Sequence, residues 1–292
     1  MGFRTVIVNS RCKLEHRLNH LVVRGETERR FFIDELSVLI VQSTAVSLTA
    51  ALLSELVKNN VKVIFCDEKS DPLAELVPYY GAHNTSKRYK SQIAWMDETK
   101  AKVWQAVVKR KILCQAAVLL NNGFAAEAEM LAGYAEEVAA GDLTNREGHA
   151  AKVYFNCILP EGVVRRGGGF INGCLNYGYA VLLSAINREV VASGYLTQLG
   201  MWHDNEFNRF NFSSDLIEPL RTVVDEAALS LEEGDEKFKS KMAGVLNFPA
   251  EVCGRKTTFD VAIRQYVRSV INALSTGDTE GIIFPENVKA NE

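Results

Sequence analysis

Three residue types able to hold a divalent cation stand within one short run, Gly200 to Asp225 (GMWHDNEFNRFNFSSDLIEPLRTVVD): His203, Asp215 and Glu218. The same run carries Arg209 and Arg221. Asp215 and Glu218 lie three positions apart, which on a helix separates them by about 60° around the axis and lets both face one point. Imidazole with carboxylate oxygens suits manganese, or magnesium at a laxer fit, better than zinc, whose structural sites favour thiolates. With the arginines alongside, the combination looks like a metal site facing a phosphate. The same spacing also describes an ordinary solvated helix face, and a single histidine is more often a hydrogen-bonded structural residue. A third ligand from elsewhere in the chain would separate the two readings.

Glu147 is the candidate. Thr144 or Asn145 can cap a helix that begins at Thr144-Asn145-Arg146-Glu147-Gly148-His149, and a carboxylate in the first turn suits the helix dipole, which is reason enough for an acid there. The positions sharing its face are Ala150, Ala151 and Tyr154; the two alanines leave room above the carboxylate for an ion and a substrate backbone. His149 lies about 200° away around the helix and does not share that space.

These groups need elements to hold them. Residues 3–8, 20–24, 36–42 and 61–66 are β-branched and apolar or alternating and read as strands, with a helix over 44–58. After Pro78-Tyr79-Tyr80-Gly81 the period changes, and 95–120, 125–139, 146–159, 173–191, the run after Asp215 and 259–275 all read as helices. The expected fold is α+β: a strand-rich N-terminal domain with one helix over 1–85, joined to a larger all-α C-terminal domain over 86–292. Pro78 to Lys90 is the connector, and the polar tail from Gly277 reads as loose or as used only on binding a partner.

With 292 residues, 47% of them hydrophobic, the chain can bury a sizeable core. Its longest weakly polar run, Leu36 to Val57, is interrupted by Gln42, Ser43, Ser47, Thr49, Ser54 and Glu55, so no membrane span is expected. The opening MGFRTVIVNSRCK alternates like a strand and lacks the features of a secretory signal, and a cytosolic location is expected. Six cysteines without C-x-x-C spacing read as reduced core residues. A net charge of −3 argues against a protein that coats nucleic acid over its whole surface. Distribution matters more: between Lys87 and Lys111 eight basic residues face only Asp97 and Glu98, and acids beyond a Debye length of about 8 Å hardly weaken such a stripe. It reads either as a solvated helix flank or as a surface that tracks phosphates.

NREGHAAKVYF, then GCLNYGYAVLLSAINREVVASG, then the run from His203 through DLIEPLR to Asp225, resemble in order and spacing the CRISPR spacer-acquisition integrase, the larger of the two universal Cas adaptation proteins. RTVIVNSRCKL and VKVIFCDEK fit the short subtype of type II systems. The resemblance covers nearly the whole chain and implies a β-rich N-terminal domain, a helical catalytic domain, a homodimer and a small Cas adaptation partner protein bridging two such dimers, with other type II Cas proteins as further partners. It implies metal ligands at Glu147, His203 and Glu218, with Asp215 demoted to an auxiliary acid and Mg2+ or Mn2+ as cofactor. One departure stands out: the family pattern EPFRP reads Glu218-Pro219-Leu220-Arg221-Thr222 here, which leaves the ligands in place and alters local packing. The implied activity joins 3′-hydroxyl ends of short double-stranded DNA fragments into CRISPR repeat DNA by metal-assisted transesterification. Alternatives are a metal-dependent endonuclease on branched DNA and a non-catalytic DNA-binding scaffold. Arg146 and Arg221 are candidate phosphate clamps, Lys87, Arg88, Lys90, Lys109 and Arg110 candidate DNA contacts, and His83 with Tyr79 or Tyr80 would stack on a fragment end or pack at the domain junction.

Two local expectations follow. Pro219 removes a backbone donor and disfavours helical geometry at Glu218, which predicts a kink. Two carboxylates about 4 Å apart repel by roughly 4 kcal/mol at an effective dielectric near 20, so without a metal they are expected to spread or take up a proton and leave the site partly disordered.

Overall fold

The structure, a computed structural model, describes residues 4–78, 84–165 and 167–289. Tyr79, Tyr80 and His83 lie outside the described residues.

The N-terminal region contains β1 (Arg4–Val8), β2 (Cys12–Arg17), β3 (His20–Arg24), β4 (Glu28–Phe32), β5 (Leu36–Val41), β6 (Val46–Leu48), α1 (Ala50–Lys58), β7 (Lys62–Cys66) and β8 (Pro72–Leu76). One sheet runs β1-β5-β7-β8, parallel except for β8; the other runs β4-β3-β2-β6, antiparallel except that β6 lies parallel to β2. All six positions of β5 (LSVLIV) are buried, as a parallel strand covered on both faces requires. Its two-residue period sends Leu39 and Val41 into the N-terminal core and Val38 and Ile40 into the core of the helical region. That sheet therefore serves both cores.

The helix expected over 44–58 is shorter. Val46–Leu48 pairs with β2, and the Thr49 hydroxyl accepts from the Leu52 N–H, which fixes the start of α1.

Next come α2 (Thr85–Ile93), α3 (Asp97–Asn121), α4 (Ala125–Glu136), α5 (Arg146–Ile158), α6 (Phe170–Ala192), α7 (Asn211–Ile217), α8 (Arg221–Leu229), α9 (Phe238–Gly244), β9 (Pro249–Val252), β10 (Arg255–Thr258) and α10 (Phe259–Thr276). The long helices α3 and α6 are buried along much of their length. The region is predominantly helical. Among the described residues it also holds a hairpin, β9 and β10, which turns at Cys253 and Gly254, whose φ angles of 50° and 73° fit a two-residue turn matched to strand twist. Against expectation, the described part of the tail, residues 278–289, is docked: Glu286 exchanges backbone hydrogen bonds with Glu251, and Phe284 packs against Tyr266. All six cysteines are unpaired.

Sheet and helices are joined by polar contacts as well as by packing. Gln42 donates to the Tyr177 hydroxyl at 2.7 Å. Arg188 on α6 donates to the Ser37 carbonyl and hydroxyl on β5, to Glu189 and to Asp260 on α10.

Candidate active site

Each chemically capable side chain is fixed by a different local device. Asn145 has a left-handed φ of 53° and its Oδ1 accepts from the Gly148 N–H, so it is the cap of α5. Asp142 adds a second cap, accepting from the N–H groups of Arg146 at 2.8 Å and Glu147 at 2.9 Å. With its first donors satisfied the helix start is rigid, and Glu147 projects from it. His149 is exposed and lies near Tyr134, away from this face.

Asp215 is fully buried and gathers the loop before α7 around itself. Its Oδ2 accepts from the N–H groups of Met201 and Trp202, and its Oδ1 from the N–H and Nδ1 of His203, the last at 2.6 Å. Both oxygens are thereby committed, which leaves Asp215 no room to act as a direct ligand. Its bond to Nδ1 fixes the imidazole so that Nε2 carries the free lone pair. The Asp215 hydrogen bond, opposed by burial, raises the His203 pKa above the usual value. Trp104 meets the imidazole edge-on, and Trp202 stacks on Trp104.

The turn has no space for a side chain at Gly200, where a Cβ would stand 2.2 Å from the His203 carbonyl oxygen and 3.0 Å from Asp215 Oδ2. Gly200→Ala is expected to displace His203 and lower activity by about 10²-fold while the chain still folds; unchanged kinetics would show that the loop position is immaterial.

Glu218 opens a short 3-10 turn, Glu218–Leu220, between α7 and α8. Pro219 interrupts the α-helical hydrogen bonds there, as its missing N–H requires, yet Glu218 keeps helical angles (φ −53°, ψ −50°). The expected distortion at Glu218 itself is absent.

Lys111 links the two glutamates. Projecting from α3 and only 7% exposed, its Nζ donates to Glu147 Oε1 at 2.6 Å and to Glu218 Oε2 at 2.5 Å. Arg221 grips the other Glu218 oxygen, Nε at 3.0 Å and Nη2 at 2.9 Å. Burial disfavours the charged forms, but the opposed charges win: Glu218 is held down at about 2, and Lys111 and Arg221 lie above their ordinary values. The expectation that the carboxylates would spread or take up a proton is corrected: the Lys111 ammonium and the Arg221 guanidinium neutralise them. The basic run from Lys87 to Lys111 thus does not form one outward stripe, because its last member points inward.

Beneath Arg221 lies a second buried carboxylate. Asp225 accepts from the hydroxyls of Tyr154 and Tyr179, and Arg221 sits over the Tyr179 ring at 4.6 Å. Burial pushes Asp225 up to about 6 against those hydrogen bonds.

Among the described residues no three His, Cys, Asp or Glu side chains stand ready to hold a metal as they are. The donor set nevertheless fits one. Two carboxylates from distant parts of the chain already meet on a single cation, the Lys111 ammonium, and the imidazole packs against Trp104, which lies seven residues before Lys111 on the same face of α3.

The other sequence candidates scatter. Lys87 and Lys90 are exposed on α2, and Arg88 donates to the Tyr195 hydroxyl at 3.1 Å. Lys109 pairs with Glu136, and Arg110 donates to the Pro285 carbonyl and lies over Phe284. Arg146 pairs with Glu137 and sits over Tyr134. Arg221 is the candidate basic residue that directly contacts one of the glutamates. Lys111 was missed as a site residue, although its place four residues after Val107 and next to Ile112 on the buried stripe of α3 was a usable signal.

Residues 5–246 match the sequence profile of the family described as CRISPR associated protein Cas1. The chain belongs to the Cas1 family. The Cas1-matched segment includes Lys111, Glu147, His203, Asp215 and Glu218. Among relatives, the chain is 34% identical over 234 residues to the CRISPR-associated endonuclease Cas1 of Neisseria meningitidis serogroup C, covering 80% of this chain and 77% of that protein. It is 25% identical over 245 residues to a CRISPR-associated endonuclease Cas1 of Francisella tularensis subsp. novicida, covering 76% and 75%. In fold it is similar to a Cas1 protein from Thermotoga maritima (TM-score 0.71, 17% identity, 99% of this chain and 100% of that one). It is also similar to a casposase bound to its integration product (TM-score 0.77, 20% identity, 95% and 92%). A chain of a Cas6-RT-Cas1–Cas2 complex matches with a TM-score of 0.72 at 18% identity, over 99% of this chain and 36% of that one. No described helix is long and apolar enough to cross a membrane.

Proposed function

We propose that this Cas1 family member is a metal-dependent DNA integrase of CRISPR adaptation, which joins the 3′-hydroxyl ends of short double-stranded DNA fragments to phosphodiesters at the edges of a CRISPR repeat. The observation that carries this reading is the meeting of Glu147 and Glu218 on one cation from α3, the helix whose Trp104 also meets an imidazole with its outer nitrogen kept available by a buried aspartate.

Glu147, His203 and Glu218 would hold Mg2+ or Mn2+. Such an ion supplies polarisation of the phosphate and a lowered pKa for the attacking hydroxyl. Asp215 keeps Nδ1 of the imidazole protonated and the ring aimed, so that Nε2 can donate its lone pair. Arg221, partly exposed beside Glu218, would contact the phosphate oxygens from one side, and Arg146 at the start of α5 would make a second contact on leaving Glu137. In the transfer a bond forms between the fragment 3′-oxygen and phosphorus, the bond from phosphorus to the 3′-oxygen of the repeat strand breaks, and that oxygen leaves with a proton. The event occurs once on each strand, and no bond to the protein is made.

The fold neighbour captured with an integration product supports strand transfer as the reaction class. Neighbours assembled with Cas2 support a small partner protein; we extend this to a partner that bridges two homodimers and to other type II Cas proteins that supply fragments. DNA would be held through phosphates by Lys87, Arg88, Lys90, Lys109 and Arg110. Neutralising Lys87, Arg88 and Lys90 together is expected to weaken DNA binding and to make the logarithmic salt slope shallower by about 2 to 3; an unchanged slope would return these residues to a solvated flank.

The test is a joining assay with the full chain, partner protein, repeat DNA and fragments with defined ends in Mg2+ or Mn2+. Covalently joined strands support integration. Nicked DNA without joining would point to an endonuclease, and binding without either product to a scaffold.

A further inference from the structure

Lys111 is placed where the proposed metal would act, and nothing in the ligand set requires it. It is buried, it bridges the two carboxylates that face each other, and it comes from a third helix. Glu147 and Glu218 carry two negative charges, and Lys111 and Arg221 match them with two positive ones. The two glutamates are therefore already matched in charge without a metal. A divalent ion entering beside a retained ammonium would be repelled by it at contact range in a poorly solvated place. The oxygens that Lys111 holds are also ones that the ion needs.

We infer that Lys111 is a tethered cation that occupies the metal position in the metal-free protein and must be displaced when a divalent ion loads, so that it sets metal affinity as a competitor and not as a partner. This rests on the metal reading of the site given above. Two consequences follow from the charges. The metal-free glutamates are held together in an ordered arrangement close to the one that binds an ion. Loading adds two positive charges to glutamates that are already matched, which an incoming phosphodiester offsets, so metal and DNA reinforce each other's binding. The displaced ammonium stays on α3 within a side chain's reach of that phosphate. Lys111 is in this sense a positioning residue, acting through the glutamates.

The experiment measures binding of Mn2+ alone, by loss of the free-ion resonance in electron paramagnetic spectra, for the full-length wild type and for Lys111→Met and Lys111→Gln. Both variants are expected to bind Mn2+ at least about tenfold more tightly than the wild type, with a lower melting temperature without metal and a larger rise on adding it. Equal or weaker binding by the folded variants overturns the inference; the metal reading survives that result if wild-type binding is saturable and lost in His203→Ala. Saturable binding by none of them overturns both. Should neither variant fold, the wild type suffices: a slowly exchanging lysine ammonium resonance in the metal-free protein is expected to shift or vanish on titration with Mg2+. Its persistence unchanged at saturating Mg2+ overturns the inference.

Discussion

Replacing His203 by alanine is expected to slow strand joining by at least about 10³-fold, on the order of 4 kcal/mol of transition-state stabilisation, while stability changes by less than about 1 kcal/mol. The contrast arises from where the histidine is anchored. Its ring is 39% exposed, and the loop that carries it is held by backbone N–H groups of Met201, Trp202 and His203 on Asp215, all of which survive the substitution. Only the imidazole is lost, and with it one proposed ligand. Glu147→Ala is expected to be equally inactive. Glu218→Ala would be inactive and also less stable, because Lys111 and Arg221 would lose their buried counter-charge. Joining rates in Mn2+, read beside gel-shift affinities for the same DNA, check all three. A His203→Ala protein that joins strands at the wild-type rate would remove the residue from the mechanism.

The second large effect concerns the joint between sheet and helices. Arg188→Ala is expected to destabilise the chain by about 3–5 kcal/mol, seen as a drop on the order of 10 °C in melting temperature. Arg188 is buried and ties Ser37 of β5 to Asp260 of α10, the latter at 2.5 Å. Its removal strands Asp260 and Glu189, both almost completely buried, with Arg264 as a distant substitute at 3.5 Å from Glu189. Thermal unfolding of the variant measures this. A shift within about 1 kcal/mol would mean that water replaces the guanidinium at no great cost.

Much of the frame was legible because periodicity reports burial. The β5 run LSVLIV and the helices α3, α4, α5, α6 and α10 announced themselves through long apolar patterns, and their positions follow the expected ones closely, whereas the run after Asp215 is divided among the short α7, α8 and α9. Strands β2 and β4 did not, since CKLEHR and ERRFF carry charges on the face that meets water. The hairpin of β9 and β10 was hidden by its shortness, and the docked tail by its polar composition, because backbone bonds between Glu251 and Glu286 leave no side-chain signature. In the site, the family resemblance named Glu147, His203 and Glu218 together and ranked Asp215 below them, where spacing alone left a solvated helix face open; Asp215 accepts four hydrogen bonds in the structure. Lys111 was counted with its charged neighbours instead of its buried ones. A lysine on an apolar stripe is costly unless something pairs it, and here two acids distant in sequence do.

Crystals grown with Mn2+ and measured at the manganese absorption edge test the central claim most directly. The expected result is one strong anomalous peak in contact with Glu147, His203 and Glu218, with the Lys111 ammonium moved off both carboxylates. A saturated crystal of joining-competent protein that shows no peak there, or shows one only at other residues, would contradict it.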